Sequence, residues 1–205
     1  MKLEPLKAFL NEGVTEAGVD EAGRGCLAGP VVAAAVILKP DYRSNVLNDS
    51  KKLNEKTRNQ LREEIIQNCL AWAVGIASVE EIDKINILNA SFLAMHRAIA
   101  QLNMQPKHLL IDGNRFKPYE GIPHNCIIGG DGKYLSIAAA SVLAKTTRDS
   151  LMKELHAEFP AYGWDVNKGY GTLQHRESIR LQGANIHHRK SFRLLPEQLS
   201  LFDNN

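Results

Sequence analysis

Only three cysteines occur among the 205 residues, and no two of them are close in sequence. Cys26, Cys69 and Cys126 form no Cys-x-x-Cys pair, which argues against a disulfide framework and against a cysteine-based zinc site. They read as buried thiols in a reducing, cytoplasmic setting. Long hydrophobic runs are also absent: Val31 to Leu38 is far shorter than the roughly 20 apolar residues that cross a bilayer, so no membrane partner is expected. The segment Met1-Lys2-Leu3-Glu4-Pro5 carries an acid and a proline where a signal peptide would be apolar. Neither an internal repeat nor a low-complexity linker interrupts the chain. Its length and its 44% hydrophobic and 23% charged content suit one soluble domain, or one domain with a helical appendage. The net charge of +2 hides an asymmetry, because between Trp164 and Arg193 six bases (Lys168, Arg176, Arg180, Arg189, Lys190, Arg193) face only Asp165 and Glu177. Such a run is either a solvated face or a surface for a polyanion.

What the chain does contain is the run Gly18-Val19-Asp20-Glu21-Ala22-Gly23-Arg24-Gly25. Neighbouring residues of a strand point to opposite faces, so a strand ending in Asp-Glu aims at least one carboxylate at the site formed by the turn behind it. Two adjacent anions suit a hard divalent cation. Glycines on either side of Arg24 let bare backbone approach an anionic ligand such as phosphate and sugar. Gly23-x-Gly25-x-x-Ala28 also fits a dinucleotide fingerprint, but that motif needs a helix next, and Gly29-Pro30 followed by Val31 to Leu38 reads as a buried strand. Strand, glycine loop, strand is an antiparallel pair, which rules the cofactor reading out.

Periodicity places strands at residues 15–20 and 31–38, then a helix after Asn54 to about Cys69 with Leu61, Ile65 and Ile66 as its stripe. A third strand spans Ala71 to Ala77. Ser78 caps a helix running in pieces to about Leu102, and His108 to Gly113 is a fourth strand. A fifth, Asn125 to Ile128, leads into Gly129-Gly130-Asp131-Gly132, followed by a helix from about Ser136 to Glu158 rich in small residues for close packing. After Pro160 a loop and a short helix remain. Asp20-Glu21, Asp112 and Asp131 thus fall at strand ends, where ligands of α/β sheets gather. A lone Asp-Gly is more often a turn, but acids ending separate strands favour convergence. Lys51 and Lys145 are either phosphate contacts or exposed solubilising lysines. His187-His188 fits phosphate contact or helix capping better than a transition metal. Trp72, on a strand, and Trp164, in a loop, read as packing residues.

Taken in order, Gly18 to Gly25, Leu47 to Leu53, Ile111 to Arg115, Gly130-Asp131 with Ile137 to Lys145, Lys168-Gly169-Tyr170 and His187 to Phe192 resemble bacterial ribonuclease HII along nearly the whole chain. The resemblance implies an α/β RNase H-like fold, a mixed central sheet flanked by helices, with a C-terminal helical extension. The boundaries expected are 1–160 for the catalytic domain, 161–196 for the extension and 197–205 for a tail. It implies a monomeric endonuclease that cuts the RNA strand of RNA/DNA hybrids and nicks duplex DNA containing ribonucleotides. It puts metal-binding, catalytic acids at Asp20, Glu21, Asp112 and Asp131, holding Mn2+ or Mg2+. Gly23, Arg24 and Gly25 would contact the ribose 2′-hydroxyl and phosphates, and Tyr170 would stack on the neighbouring sugar. A junction-cleaving nuclease or transposase of the same fold would share the acids without needing Gly-Arg-Gly and Tyr170; a catalytically silent hybrid-binding module would have lost an acid, and none is lost. Finally, Gln198, Leu199, Leu201 and Phe202 resemble the Gln-Leu-x-Leu-Phe peptide that docks on the bacterial sliding clamp, and Pro196 upstream with Asp203-Asn204-Asn205 downstream favours exposure over core.

Overall fold

Eight apolar residues, Val31–Leu38, form an inner strand because both of its faces are covered. The computed structural model describes residues 5–44, 46–47 and 54–195. Among these, β1 (Glu16–Ala22), β2 (Val31–Leu38), β3 (Cys69–Ala77), β4 (His108–Asp112) and β5 (His124–Ile127) form one sheet in the order β3-β2-β1-β4-β5. β1 pairs antiparallel with β2 and parallel with β4, so the sheet is mixed as expected. The first strand runs two residues further than the sequence suggests and takes Glu21 into the sheet.

Alternation along the strands separates two cores. Val19, Ala33, Ala35, Leu109 and Ile111 face α2 (Val79–Ala100), while Ala34 and Val36 face α1 (Glu55–Asn68) and α3 (Leu135–Glu158). Asn54 caps α1 by accepting the Thr57 N–H, and Ser78 and Glu81 form a capping box on α2. The break expected in α2 falls at Asn86 (φ 66°), whose side chain accepts the N–H groups of Leu88 and Asn89 and starts the helix afresh. After Pro160 the structure has more helix than expected: α4 (Trp164–Asn167) and α5 (Leu173–Gln182), with Trp164 fully buried in α4 and not in a loop. They pack with Met152 on Leu27 and Ala28, so the end of the described chain lies against the loop joining β1 to β2. No helix among the described residues is long and apolar enough to cross a membrane.

The seating of α3 on β1 depends on Gly18. A Cβ there would lie 2.1 Å from the Ser136 carbonyl carbon and 2.3 Å from the Ile137 nitrogen, both backbone atoms that cannot swing aside. Gly18→Ala is therefore expected to lower stability by about 3 kcal/mol, at the upper end of overpacking costs. Chemical denaturation checks this; an unchanged midpoint would show that the helix can shift freely.

Candidate active site

The register carries the acids to one place. Gly18 pairs with Leu110 across the parallel β1–β4 ladder, so two residues further on Asp20 lies level with Asp112, on the face that α3 covers. The run from Asp20 to Gly25, with Asp112, Ser141, Lys145 and Tyr170, lines a cavity of about 300 Å3 at this sheet end. Asp20 is 5% exposed. Its Oδ1 accepts the Glu21 N–H at 2.7 Å, and the Ser141 hydroxyl also hydrogen-bonds the carboxylate. Burial first, then the charges of Glu21 and Asp112, hold the Asp20 carboxyl well above the ordinary carboxylate range. Burial also raises Glu21, against the opposing pull of Arg24, whose guanidinium lies 3.0 Å from Oε1. The other oxygen, Glu21 Oε2, is buried without a hydrogen-bond partner. Asp112 Oδ1 accepts the Gly130 N–H at 2.7 Å.

Asp131 is placed differently from the other three acids. It is buried in a 3-10 turn, Gly130–Gly132, beyond the end of β5, and is connected to Asp112 through the Gly130 amide rather than lining the cavity. Among the described residues no three Asp, Glu, His or Cys side chains stand in a ready metal-ligating arrangement. Lys145 lines the cavity with its ammonium 2.7 Å from Asp149 and 5.8 Å from the centre of the Tyr170 ring, and is thus neither a free surface lysine nor unpaired. Lys51 lies outside the described residues, as do Gln198, Leu199, Leu201 and Phe202.

Gly23 (φ +96°) lines the cavity but is closed on its other side: a Cβ there would meet the Arg148 guanidinium at 2.0 Å. Gly25, in contrast, opens on unfilled space. The basic segment is divided: Lys168 and Arg189 are buried and Arg176 donates to the carbonyls of Arg193 and Leu194, whereas Arg180, which pairs with Glu177 at 2.6 Å, Lys190 and Arg193 are exposed. His188 is fully buried and contacts rings, not solvent or phosphate. The Trp164 indole N–H donates to His175 Nε2 at 2.9 Å, so His175 donates from Nδ1 to the Tyr170 carbonyl, also at 2.9 Å. The Asn185 N–H donates to His188 Nδ1, and His188 Nε2 lies 3.2 Å from His175 Nε2.

Sequence reasoning missed Ser141, read only as a small packing residue, and the supports behind the loop: Arg148, Arg189 and His175. Arg148 is 1% and Arg189 0% exposed, and neither has a carboxylate partner among the described residues. An arginine within the small-residue, core-facing run of α3 was the one available signal.

The matches to known proteins agree with this architecture. Residues 17–195 fit the family model for Ribonuclease HII. The chain is 64% identical over 196 residues to Ribonuclease HII of Parabacteroides distasonis, covering 96% of this chain and 98% of that one. It is 63% identical over 198 residues to Ribonuclease HII of Bacteroides fragilis, again with 96% and 98% covered. The structure of the PCNA:RNase HII complex from Archaeoglobus fulgidus superposes with a TM-score of 0.74 at 26% identity, covering 91% and 98% of the two chains. Bst-RNase HIII in complex with Mn2+ shares the fold, with a TM-score of 0.70 at 18% identity over 88% and 68% of the chains. Sheet order, flanking helices and these neighbours define an RNase H-like nuclease. Within that class the chain belongs to the ribonuclease HII family, and it is a type II ribonuclease H.

The histidine pair predicts a pH dependence of stability. Burial, then the neighbouring His175, holds His188 at about 4, down from 6.5. Below 6.5 the unfolded chain takes up a proton that the folded site refuses, so this group's contribution to stability is complete above that pH and is lost as pH falls towards 4. His188→Phe is expected to flatten the thermal midpoint between pH 6.5 and 4 relative to the parent. Parallel profiles would place the acid sensitivity elsewhere.

Proposed function

We propose that the cavity at the end of β1 and β4 is where this enzyme cleaves the RNA strand of RNA/DNA hybrids and nicks duplex DNA at embedded ribonucleotides. The observation that carries the proposal is three carboxylates converging beside a glycine loop with an open position at Gly25. The donor set fits Mg2+ or Mn2+: every candidate ligand atom is a carboxylate oxygen, Glu21 Oε2 is buried without a partner, and Asp20 is held up by burial and then by neighbouring negative charge. In this reading Asp20, Glu21, Asp112 and Asp131 hold two such ions, with Asp131 turning towards the cavity from its place beside Gly130. When bound, divalent ions supply a water of lowered pKa and offset charge on the departing 3′-oxygen, leaving 5′-phosphate and 3′-hydroxyl ends.

The protein's own groups do the positioning. Ser141 and the Glu21 amide orient the Asp20 carboxylate, and the Gly130 amide fixes that of Asp112. Gly25, with open space where a Cβ would be, lets the loop backbone reach the ribose 2′-hydroxyl, the atom that separates RNA from DNA at one nucleotide. Tyr170, 43% exposed, offers a ring to the adjoining sugar, and Lys145 a charge to phosphate; Lys51 joins them in the reading from sequence. The functional unit is a cytoplasmic monomer with catalytic residues 1–160, a bracing extension 161–196 and a tail 197–205.

Nicking of a duplex with a single ribonucleotide, with and without Mg2+, tests the reading. Asp20→Asn is expected to lose cleavage by at least about 100-fold while melting, in chelator, no lower than the parent, because removing a charge relieves repulsion. Near-parental nicking by that variant would falsify the assignment.

The tail adds a partner. Gln198, Leu199, Leu201 and Phe202 match a clamp-docking pattern, and a structural relative from Archaeoglobus fulgidus is a complex with the clamp PCNA. In this reading the tail peptide tethers the enzyme to a sliding clamp and raises its local concentration on duplex DNA. The expected result is binding of labelled tail peptide to the bacterial clamp and its loss in Leu201→Ala, Phe202→Ala; absence of binding by peptide and whole protein would remove the clamp without touching the nuclease.

A further inference from the structure

Behind the Gly23-Arg24-Gly25 loop lies a buried cation that the reaction scheme does not use. Arg189 comes from the far end of the described chain and is wholly enclosed. Its Nη2 donates to the Gly23 carbonyl at 2.6 Å, its Nη1 to the Arg24 carbonyl at 2.9 Å and its Nε to the Gly29 carbonyl at 3.0 Å. Arg148 stands beside it, donating to the carbonyls of Ala28, Pro30 and Lys168 and filling the space where Gly23 has no side chain. A guanidinium taken out of water without an acid partner must have its donors satisfied in a fixed fork, and here backbone oxygens satisfy them.

The consequence lies on the other side of each peptide. No peptide bond in the described chain is cis, so the C=O of one residue and the N–H of the next point in opposite directions. Drawing the Gly23 and Arg24 carbonyls inward turns the amides of Arg24 and Gly25 outward. Neither amide has an acceptor among the described residues, and both belong to the loop that lines the acidic cavity. Two adjacent outward N–H groups form a small concave donor site for an oxygen. We propose that Arg189 is a positioning residue that fixes these two amides and thereby sets the enzyme's discrimination between ribose and deoxyribose; this rests on the proposed contact of the loop with the 2′-hydroxyl. Arg189 touches no substrate. It acts by holding the loop in the single orientation that presents both donors.

The test compares affinity for a duplex containing one ribonucleotide with affinity for the all-DNA duplex of the same sequence, in chelator and at fixed salt, for parent, Arg189→Lys and Arg189→Met. Arg189→Met is expected to lower the ribo-over-deoxy ratio about 10-fold, the scale of one lost hydrogen bond, with all-DNA affinity within about 2-fold of the parent. Arg189→Lys, which lacks the fork, recovers only part of the ratio. A folded Arg189→Met that keeps the parental ratio, or that loses both affinities equally, overturns the proposal. Should neither variant fold, amide and side-chain NMR of the parent decides. Arg24 N–H, Gly25 N–H and Arg189 Nε–H are expected to shift together with the ribonucleotide duplex and to stay in place with the all-DNA duplex. Movement of the two amides without Arg189 overturns the positioning role and leaves the loop's contact with ribose standing; no movement of either amide overturns both.

Discussion

Carboxylates crowded into a poorly hydrated place repel one another, and the rest of this structure is arranged around that repulsion. Asp20 and Asp112 sit side by side because a parallel ladder fixes their strands in register, and Glu21 follows along the same strand. A softer frame would let them drift apart. The ladder is made stiff by the neighbouring β2, buried on both faces, and by a helix lying directly on β1 across Gly18. Local donors supply what the fold leaves: the Glu21 and Gly130 amides, the Ser141 hydroxyl and the Arg24 guanidinium. These donors hold the carboxylates in place, and burial, with neighbouring acids adding to it, keeps Asp20 and Glu21 above their ordinary range.

The cavity in front of the loop holds acids together with Arg24 and Lys145, while two further guanidinium groups lie behind it, bonded to carbonyl oxygens rather than to acids. Had Arg148 or Arg189 paired with the acids, the cavity would have lost part of its negative charge. Carbonyl partners let a buried cation brace the loop without quenching the site.

Legibility from sequence followed the range of each interaction. The strands were readable because alternation and uninterrupted apolar runs are local patterns, and the acids were readable because they stand at the ends of those strands. Asn54 and Ser78 announced their helices for the same reason. What was hidden depended on partners far along the chain. Ser141 looks like any small residue of α3 until β1 is laid beside it, and His188 looks like a surface histidine until the rings of Tyr162, edge-on, and Trp164, tilted, pack against it at 4.8 and 5.4 Å. Arg189 stands in a run of bases, where charge patterning speaks for solvent or phosphate, and only the tertiary structure turns it inward. The short helix around Trp164 escaped because four residues carry no period.

The bonds from Arg189 to Gly23 and Arg24 join residues more than 160 positions apart. Loop closure over such a distance comes late, after local helices and hairpins have formed. During synthesis the sheet that carries Asp20 and Asp112 is complete once β5 has emerged, but the loop beside it has nothing to organise it until the last part of the described chain follows. Asp20 and Asp112 are therefore brought level before the loop beside them is braced, and it is Arg189, near the end of the described chain, that braces it.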